Sequence, residues 1–131
     1  MKSLLENTRR PDVTFHRSGR IDITARVSKG LSLACGDVIG VGREDGELYI
    51  YKRYDGRLVS GCHEAQLRST NPGIRNGRNM RAYSKRLCRA VMGLAGVQDV
   101  LRVPVGDAVI LADGRLAMPI IYMYRIVKQE V

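Results

Sequence analysis

One cluster of side chains in this chain has the chemistry for covalent catalysis: Cys62, His63 and Glu64 are consecutive. A thiol beside an imidazole can be activated as a nucleophile. Successive residues of a strand point to opposite faces, however, so adjacency in the sequence works against direct contact. An enzyme built on a cradle-like barrel, with this cluster as its reactive group, is therefore an open alternative. We favour a structural or neutral role for the three residues.

Metal and cofactor chemistry find little support in the sequence. The three cysteines, Cys35, Cys62 and Cys88, lack the spacing of a zinc site, and the two histidines, His16 and His63, are far apart. Neither a Walker phosphate loop nor a dinucleotide fingerprint is present. We therefore expect no catalytic residue, no metal and no cofactor.

The arginines are the more informative chemistry, because they are concentrated. The chain of 131 residues has 22 basic and 13 acidic residues, and its formal charge is +9. Residues 65–98 carry seven of the bases and no acid. These bases are Arg68, Arg75, Arg78, Arg81, Lys85, Arg86 and Arg89. A concentrated excess of this kind indicates a polyanion site, and the alternative is a solvated basic helix face.

Two elements are predicted to carry these bases. Residues 68–78 are rich in Asn, Pro and Gly and are typical of a loop, whose backbone N–H groups could hold a phosphate. A helix is predicted over 79–94, with Asn79 as its N-cap. If the start of this helix enters a major groove, Asn76 and Asn79 could contact base edges.

The predicted helix is amphipathic. At about 100° per residue, one stripe is apolar and the stripe opposite is basic. The apolar stripe comprises Met80, Tyr83, Leu87, Val91 and Leu94, and the basic stripe comprises Arg78, Arg81, Lys85 and Arg89. Like charges four residues apart repel one another. Repeated repulsion without an interleaved acid indicates an anionic partner, unless acids elsewhere in the fold pair with these bases.

Strands are predicted on both sides of the helix, so the fold class is α+β, with a small antiparallel barrel or swapped-hairpin-like sheet. Alternation predicts strands over 13–17 and 21–25, and a short helix over 27–33. Asp45-Gly46 is typical of a hairpin turn, between strands at 37–43 and 48–51. The later strands are predicted at 100–105, 107–111 and 116–126.

The predicted organisation is a flexible arm over 1–11 and a single α+β domain over 12–131. Within the domain we separate a β half at 12–60, the basic loop and helix at 68–96 and a second β half at 99–131. Neither a signal peptide nor an apolar run of about 20 residues is present, and the cysteines are odd in number. A cytoplasmic location is therefore expected.

The stretch Gly19–Asp37 resembles the AbrB/SpoVT family of DNA-binding domains. Gly19-Arg20 is similar to the family's Gly-Arg turn, Lys29 and Leu31 to its short basic helix, and Gly36-Asp37 to the start of its hairpin. The resemblance covers about residues 12–54, and Thr24 stands where the family usually has Pro. It implies an interleaved dimer that exchanges hairpins.

The resemblance also implies phosphate or base contacts for Arg20 and Lys29. An equally good alternative for Arg20 is a turn arginine that pairs with Asp22 or Asp12. With Arg17 and Arg26, these two bases form a predicted second patch beside the loop and helix.

A short internal echo suggests that the chain supplies its own second half. Residues 107–119 repeat the pattern of 12–24, a strand, a Gly-Arg turn and a second strand. The chain would then be an intrachain pseudo-dimer instead of a homodimer.

Taken together, these features predict a nucleic-acid-binding protein, more readily of DNA than of RNA, acting as a transcriptional regulator or an antitoxin-like factor. The predicted contacts are Arg75, Asn76, Arg78, Asn79, Arg81, Lys85, Arg86 and Arg89, with Arg17, Arg20, Arg26 and Lys29 as the second patch. The alternative is a non-catalytic module that docks its basic helix on an acidic protein.

Overall fold

The computed structural model of the chain describes residues 11–70 and 79–121. Alternating and β-branched residues form short strands there, and two segments form α-helices. The strands are β1 (Val13–His16), β2 (Arg20–Ile23), β3 (Val38–Glu44), β4 (Glu47–Tyr54), β5 (Arg68–Ser69), β6 (Met80–Tyr83), β7 (Val100–Val103), β8 (Val109–Ile110) and β9 (Leu116–Ile120). The helices are α1 (Ala25–Gly30), α2 (Lys85–Ala95) and a 3₁₀ turn at Gly56–Leu58.

The strands form two antiparallel sheets. Sheet A has the order β5-β6-β2-β1-β7, and sheet B has the order β3-β4-β9-β8. In β1, β2 and β6 every second residue is buried, because side chains alternate between the faces of a sheet. Sheet A therefore has one face toward the core and one face toward solvent.

A single apolar core lies between the sheets and under α2. Its largest fully buried side chains include Phe15, Ile21, Ile50 and Leu101. Two isolated bridges, Val105 to Ile120 and Val38 to Gln66, connect the sheets at their margins. The α+β class is thus confirmed, whereas the two sheets do not close into one continuous barrel.

The first half of the chain follows the predicted order of elements. The β3–β4 hairpin turns at Asp45 and Gly46, both with positive φ, as a two-residue hairpin turn requires. The first helix begins two residues before its predicted start and ends at Gly30, and Val27 and Leu31, four residues apart, are both buried.

Asp37 gives the Gly36-Asp37 pair a structural role. Its buried carboxylate accepts hydrogen bonds from Ala34 N at 2.8 Å and from Gly56 N at 2.7 Å, and it pairs with Lys52 Nζ at 3.2 Å. Gly36 has φ +94°, and a Cβ at Gly56 would lie 2.5 Å from the Gly36 carbonyl carbon. This close approach fixes the start of β3 against the chain beyond β4.

The predicted helix at 79–94 begins too early. Residues 80–83 form β6 instead, and α2 begins after Ser84, whose hydroxyl accepts a hydrogen bond from Leu87 N at 3.0 Å. Pairing of β6 with β2 and β5 overrides the helical periodicity. Met80 is buried in sheet A and Tyr83 is exposed, so the two do not share an apolar stripe.

Asn79 does not cap α2. Its Oδ1 accepts a hydrogen bond from Ala25 N at 3.0 Å, at the first residue of α1. Thr24, the N-cap residue of α1, makes no side-chain cap bond of its own. Asn79 therefore satisfies a free N–H group of the other helix, from 54 residues away.

Within residues 11–70 and 79–121, no helix is long and apolar enough to cross a membrane.

Candidate nucleic-acid interface

Three cations from two separate elements line one open groove. Arg17 lies in the turn after β1, and Lys85 and Arg89 lie one helical turn apart on α2. The groove has a volume of about 760 Å³, and its remaining lining residues are Ser18, Met92, Gly93, Val97 and Gln98. None of the lining residues is acidic. We call this feature the α2 groove.

Backbone contacts fix the walls of the α2 groove. Ser84 N donates to Gly19 O at 2.8 Å, and Arg17 N donates to Asp99 O at 3.0 Å. Gly19 has φ +99°, and a Cβ there would lie 2.9 to 3.2 Å from atoms of Lys85. Glycine in the Gly-Arg turn therefore lets the first residue of α2 approach the turn closely.

Two of the predicted contacts on the basic segment have acid partners elsewhere in the fold. Arg81 lies on β6, where its Nε contacts Asp22 Oδ1 at 2.7 Å. Arg86 pairs with Glu64 at 2.6 Å, and Ser84 also donates to Glu64. The predicted four-residue basic stripe is therefore wrong: of its described members, only Lys85 and Arg89 lie on α2. The alternative of distant acid partners holds for Arg81 and Arg86.

Arg20 belongs to the same network as Arg81. Its Nε contacts Asp22 Oδ2 at 3.1 Å, and His16 Nε2 lies 3.0 Å from the same oxygen. Partial burial would raise the pKa of Asp22, but the hydrogen bonds from Arg81 and His16 and the charges of both arginines lower it overall. Arg20 is thus the turn arginine paired with Asp22, and it lies beside Arg81.

Lys29 and Arg26 lie away from the α2 groove. β6 runs antiparallel to β2, so α2 begins at the Arg20 end of β2 and α1 begins at the other end. Arg26 is occupied by Asp12 at 3.1 Å, by Asp107 at 3.0 Å and by the Val105 carbonyl at 2.9 Å. Arg26 therefore links α1 to the segment after β7. The predicted second patch is divided, because Arg17 and Arg20 lie near the start of α2 whereas Arg26 and Lys29 lie on α1.

Three further predicted contacts, Arg75, Asn76 and Arg78, lie outside the described residues. They belong to the segment that connects β5 to β6. Arg68, at the start of the predicted loop, lies in the strand β5.

A row of residues that includes three arginines crosses sheet A, and sequence patterns do not indicate it. The register places Arg68 opposite Arg81, Arg81 opposite Asp22, Asp22 opposite Thr14, and Thr14 opposite Arg102. Arg68 and Arg102 are exposed. Alternation within each short strand indicates which residues face outward, but the strand order that aligns these five residues is not visible in the sequence.

The cluster Cys62, His63 and Glu64 does not converge on one point. His63 contacts the Ser60 carbonyl at 2.9 Å, Glu64 pairs with Arg86, and Cys62 is an exposed free thiol. Among residues 11–70 and 79–121, no group of three or more His, Cys, Asp or Glu is placed to hold a metal ion.

The two hairpins of the internal echo share one register. Thr14 pairs with Asp22 and Phe15 with Ile21, and the equivalent pairs Val109–Ala117 and Ile110–Leu116 occur in β8–β9. Their burial differs, because Phe15 and Ile21 are in the core whereas Ile110 is 67% exposed.

Comparison of the chain with protein-family models, with curated proteins and with solved structures finds no match.

Proposed function

We propose that the protein binds nucleic acid, with DNA as the expected ligand, through the α2 groove. The observation that carries the proposal is the meeting of Arg17, Lys85 and Arg89 around one acid-free groove. None of the three forms an ion pair with another described residue.

The binding mechanism is electrostatic. Each cation that neutralises a phosphate releases condensed counterions, so affinity falls as salt rises. Arginine can donate two parallel hydrogen bonds to a phosphate, whereas lysine acts as a point charge. The cations come from a turn and a helix that are joined by the backbone hydrogen bond from Ser84 N to Gly19 O. This bond holds them in a defined arrangement, which favours phosphate contact along a nucleic-acid backbone.

The finer fold proposal is an AbrB/SpoVT-like half whose second half lies in the same chain. Two observations support it. The order β1, β2, α1, β3, β4 over residues 13–54 is the one that the resemblance implies. The equivalent registers of β1–β2 and β8–β9 support the intrachain pseudo-dimer. A regulatory or antitoxin-like role follows from the same resemblance and stays part of the proposal.

The test is the salt dependence of binding to a duplex DNA. Arg17, Lys85 and Arg89 are changed together to Ala, and the slope of log affinity against log salt is measured. Loss of three phosphate contacts should reduce the magnitude of this slope by about 3. Arg81 is left in place because it is paired with Asp22 and does not line the α2 groove.

The matched control removes the same charge from outside the α2 groove. Lys29, Arg43 and Arg53 are exposed, none of them lines the α2 groove, and none forms an ion pair with a described residue. Their triple Ala variant should change the slope by much less than 3. Equal slopes for the groove variant and the unchanged protein would contradict the proposal, as would binding to an acidic polypeptide with no binding to DNA at the same salt.

A further inference from the structure

The outer face of sheet A is partly exposed and bears four arginines. We call it the open face; it carries Thr14, His16, Arg20, Asp22, Arg68, Arg81, Tyr83, Val100 and Arg102. Asp22 is the one acid among these residues. The opposite face of the same strands is buried in the core.

Like charges lie directly opposite each other on this face. Arg68 and Arg81 are cross-strand neighbours, and only Arg81 has an acid partner. Directly opposed like charges destabilise a sheet. Arg68 and Arg102, at the two margins of the face, form no ion pair with any other described residue. The face therefore offers an anion two uncompensated cations.

An aromatic ring lies among these cations. Tyr83 is on the same face of β6 as Arg81, it is opposite Arg20, and it is 54% exposed. The hydrogen bond that Arg81 donates to Asp22, and then the charge of Asp22, raise the pKa of the Arg81 guanidinium, which stays charged. An exposed aromatic ring with neighbouring guanidinium groups is the kind of surface on which unpaired bases stack.

The open face does not fit a groove of duplex DNA. Arg68 and Arg102 are separated by four strand spacings, which is about 19 Å. The major groove is about 12 Å wide, so a five-stranded sheet cannot enter it. A single strand has no such constraint, because its bases can turn toward the sheet.

The open face is continuous with the α2 groove. Tyr83 and Lys85 are separated only by Ser84, and Arg17 and Arg20 flank the turn at Ser18-Gly19. Ser84 N donates to Gly19 O, which joins the two features at one corner. A strand whose phosphates occupy the α2 groove can therefore continue onto sheet A.

We infer that the open face binds single-stranded nucleic acid, with a base stacked on Tyr83 and with phosphates at Arg68 and Arg102. This inference rests on the proposed function, because it specifies the form of nucleic acid that the same surface takes.

The test compares a 20-nucleotide oligo-dT with a mixed-sequence 20-base-pair duplex at one salt concentration. Tyr83→Ala should weaken oligo-dT binding about tenfold or more through lost stacking, and Tyr83→Phe should retain it. Arg68→Ala with Arg102→Ala should reduce the magnitude of the oligo-dT salt slope by about 1.4. Neither Tyr83→Ala nor the double variant of Arg68 and Arg102 should alter the affinity for the duplex more than about twofold. All three positions are exposed, and thermal unfolding verifies that each variant is folded.

Three outcomes would overturn the inference. Tyr83→Ala could leave oligo-dT binding unchanged, or weaken oligo-dT and duplex equally. Alternatively, polyglutamate could bind as tightly as oligo-dT with the same dependence on Arg68 and Arg102, which would assign the face to an acidic protein. A different result would overturn the proposed function: the Ala variant of Arg17, Lys85 and Arg89 would then bind both the duplex and oligo-dT with the salt dependence of the unchanged protein.

Discussion

Asp12 is a buried carboxylate that joins three elements. It accepts hydrogen bonds from Val105 N at 2.9 Å, from Arg26 Nη1 at 3.1 Å and from Thr24 Oγ1 at 3.4 Å. The residue is only 7% exposed. Asp12 thereby ties the start of β1 to the end of β2 and to the segment after β7.

Asp12→Ala should lower the free energy of unfolding by about 3 kcal/mol, measured by chemical denaturation. The change leaves the buried Val105 N–H without an acceptor and removes one carboxylate from Arg26. Asp12→Asn should cost less, because an amide oxygen can still accept from Val105 N.

Asp107→Ala is the matched control for Asp12→Ala. Asp107 pairs with the same Arg26, but its side chain is 97% exposed. Water can replace it, so little stability should be lost. If the two Ala variants were equally stable, the role assigned to the buried carboxylate would be wrong.

At the scale of single elements, α2 shows what sequence periodicity resolves and what it does not. Leu87 and Val91 lie on the core side of the helix, as the periodicity predicts, with Lys85 and Arg89 on the groove side. Met80 and Tyr83 fit the helical spacing only by coincidence, because residues three apart on β6 point to opposite faces of the sheet. Met80 and Ala82 are buried, whereas Arg81 is half-buried and Tyr83 is exposed, so burial alternates with the period of two that a strand has.

Ser84 is the residue that separates β6 from α2. Ser84→Ala should lower the free energy of unfolding by about 1 kcal/mol, because it removes the N-cap bond to Leu87 N. The lost hydrogen bond to Glu64 adds to this effect.

Thr24→Ala provides the comparison, since Thr24 is the N-cap residue of α1 but makes no side-chain cap bond. It loses only the longer contact to Asp12 and should be less destabilising than Ser84→Ala. Denaturation curves of the two variants test this order. A larger loss at Thr24 would contradict the assignment of Ser84 as the start of α2.

At the scale of the whole molecule, the charges are arranged by sheet order more than by position along the chain. Of the bases concentrated in residues 65–98, Arg68, Lys85 and Arg89 form no ion pair with another described residue. Sequence reasoning could not pair Arg81 with Asp22, 59 residues away, or Arg86 with Glu64. Nor could it align Arg68 with Arg102, because three strands lie between them. Local patterns thus predicted the elements, whereas long-range strand pairing determined which cations remain available.

The same long-range pairing makes stability depend on pH through Asp22. Its pKa is held below the ordinary value of 3.8 in the folded chain, despite partial burial, by Arg81, His16 and Arg20. A folded pKa below the unfolded one means that the contribution is complete above about pH 5 and is lost as pH falls through the folded pKa. Asp22→Asn should therefore destabilise the protein at pH 7, and the difference from the unchanged chain should shrink steadily below pH 4. Chemical denaturation at several pH values measures it.

Asp45→Asn is the control for that series. It removes the same charge from the β3–β4 turn, where Asp45 has φ +51°, a conformation that Asn tolerates. Asp45 forms no ion pair with a described residue, so the difference between this variant and the unchanged chain should vary little with pH. A constant difference for Asp22→Asn across the same range would show that Asp22 contributes through packing alone. The two arginines beside it would then owe their positions on the open face to the sheet itself, since a charged carboxylate would not be needed to hold them.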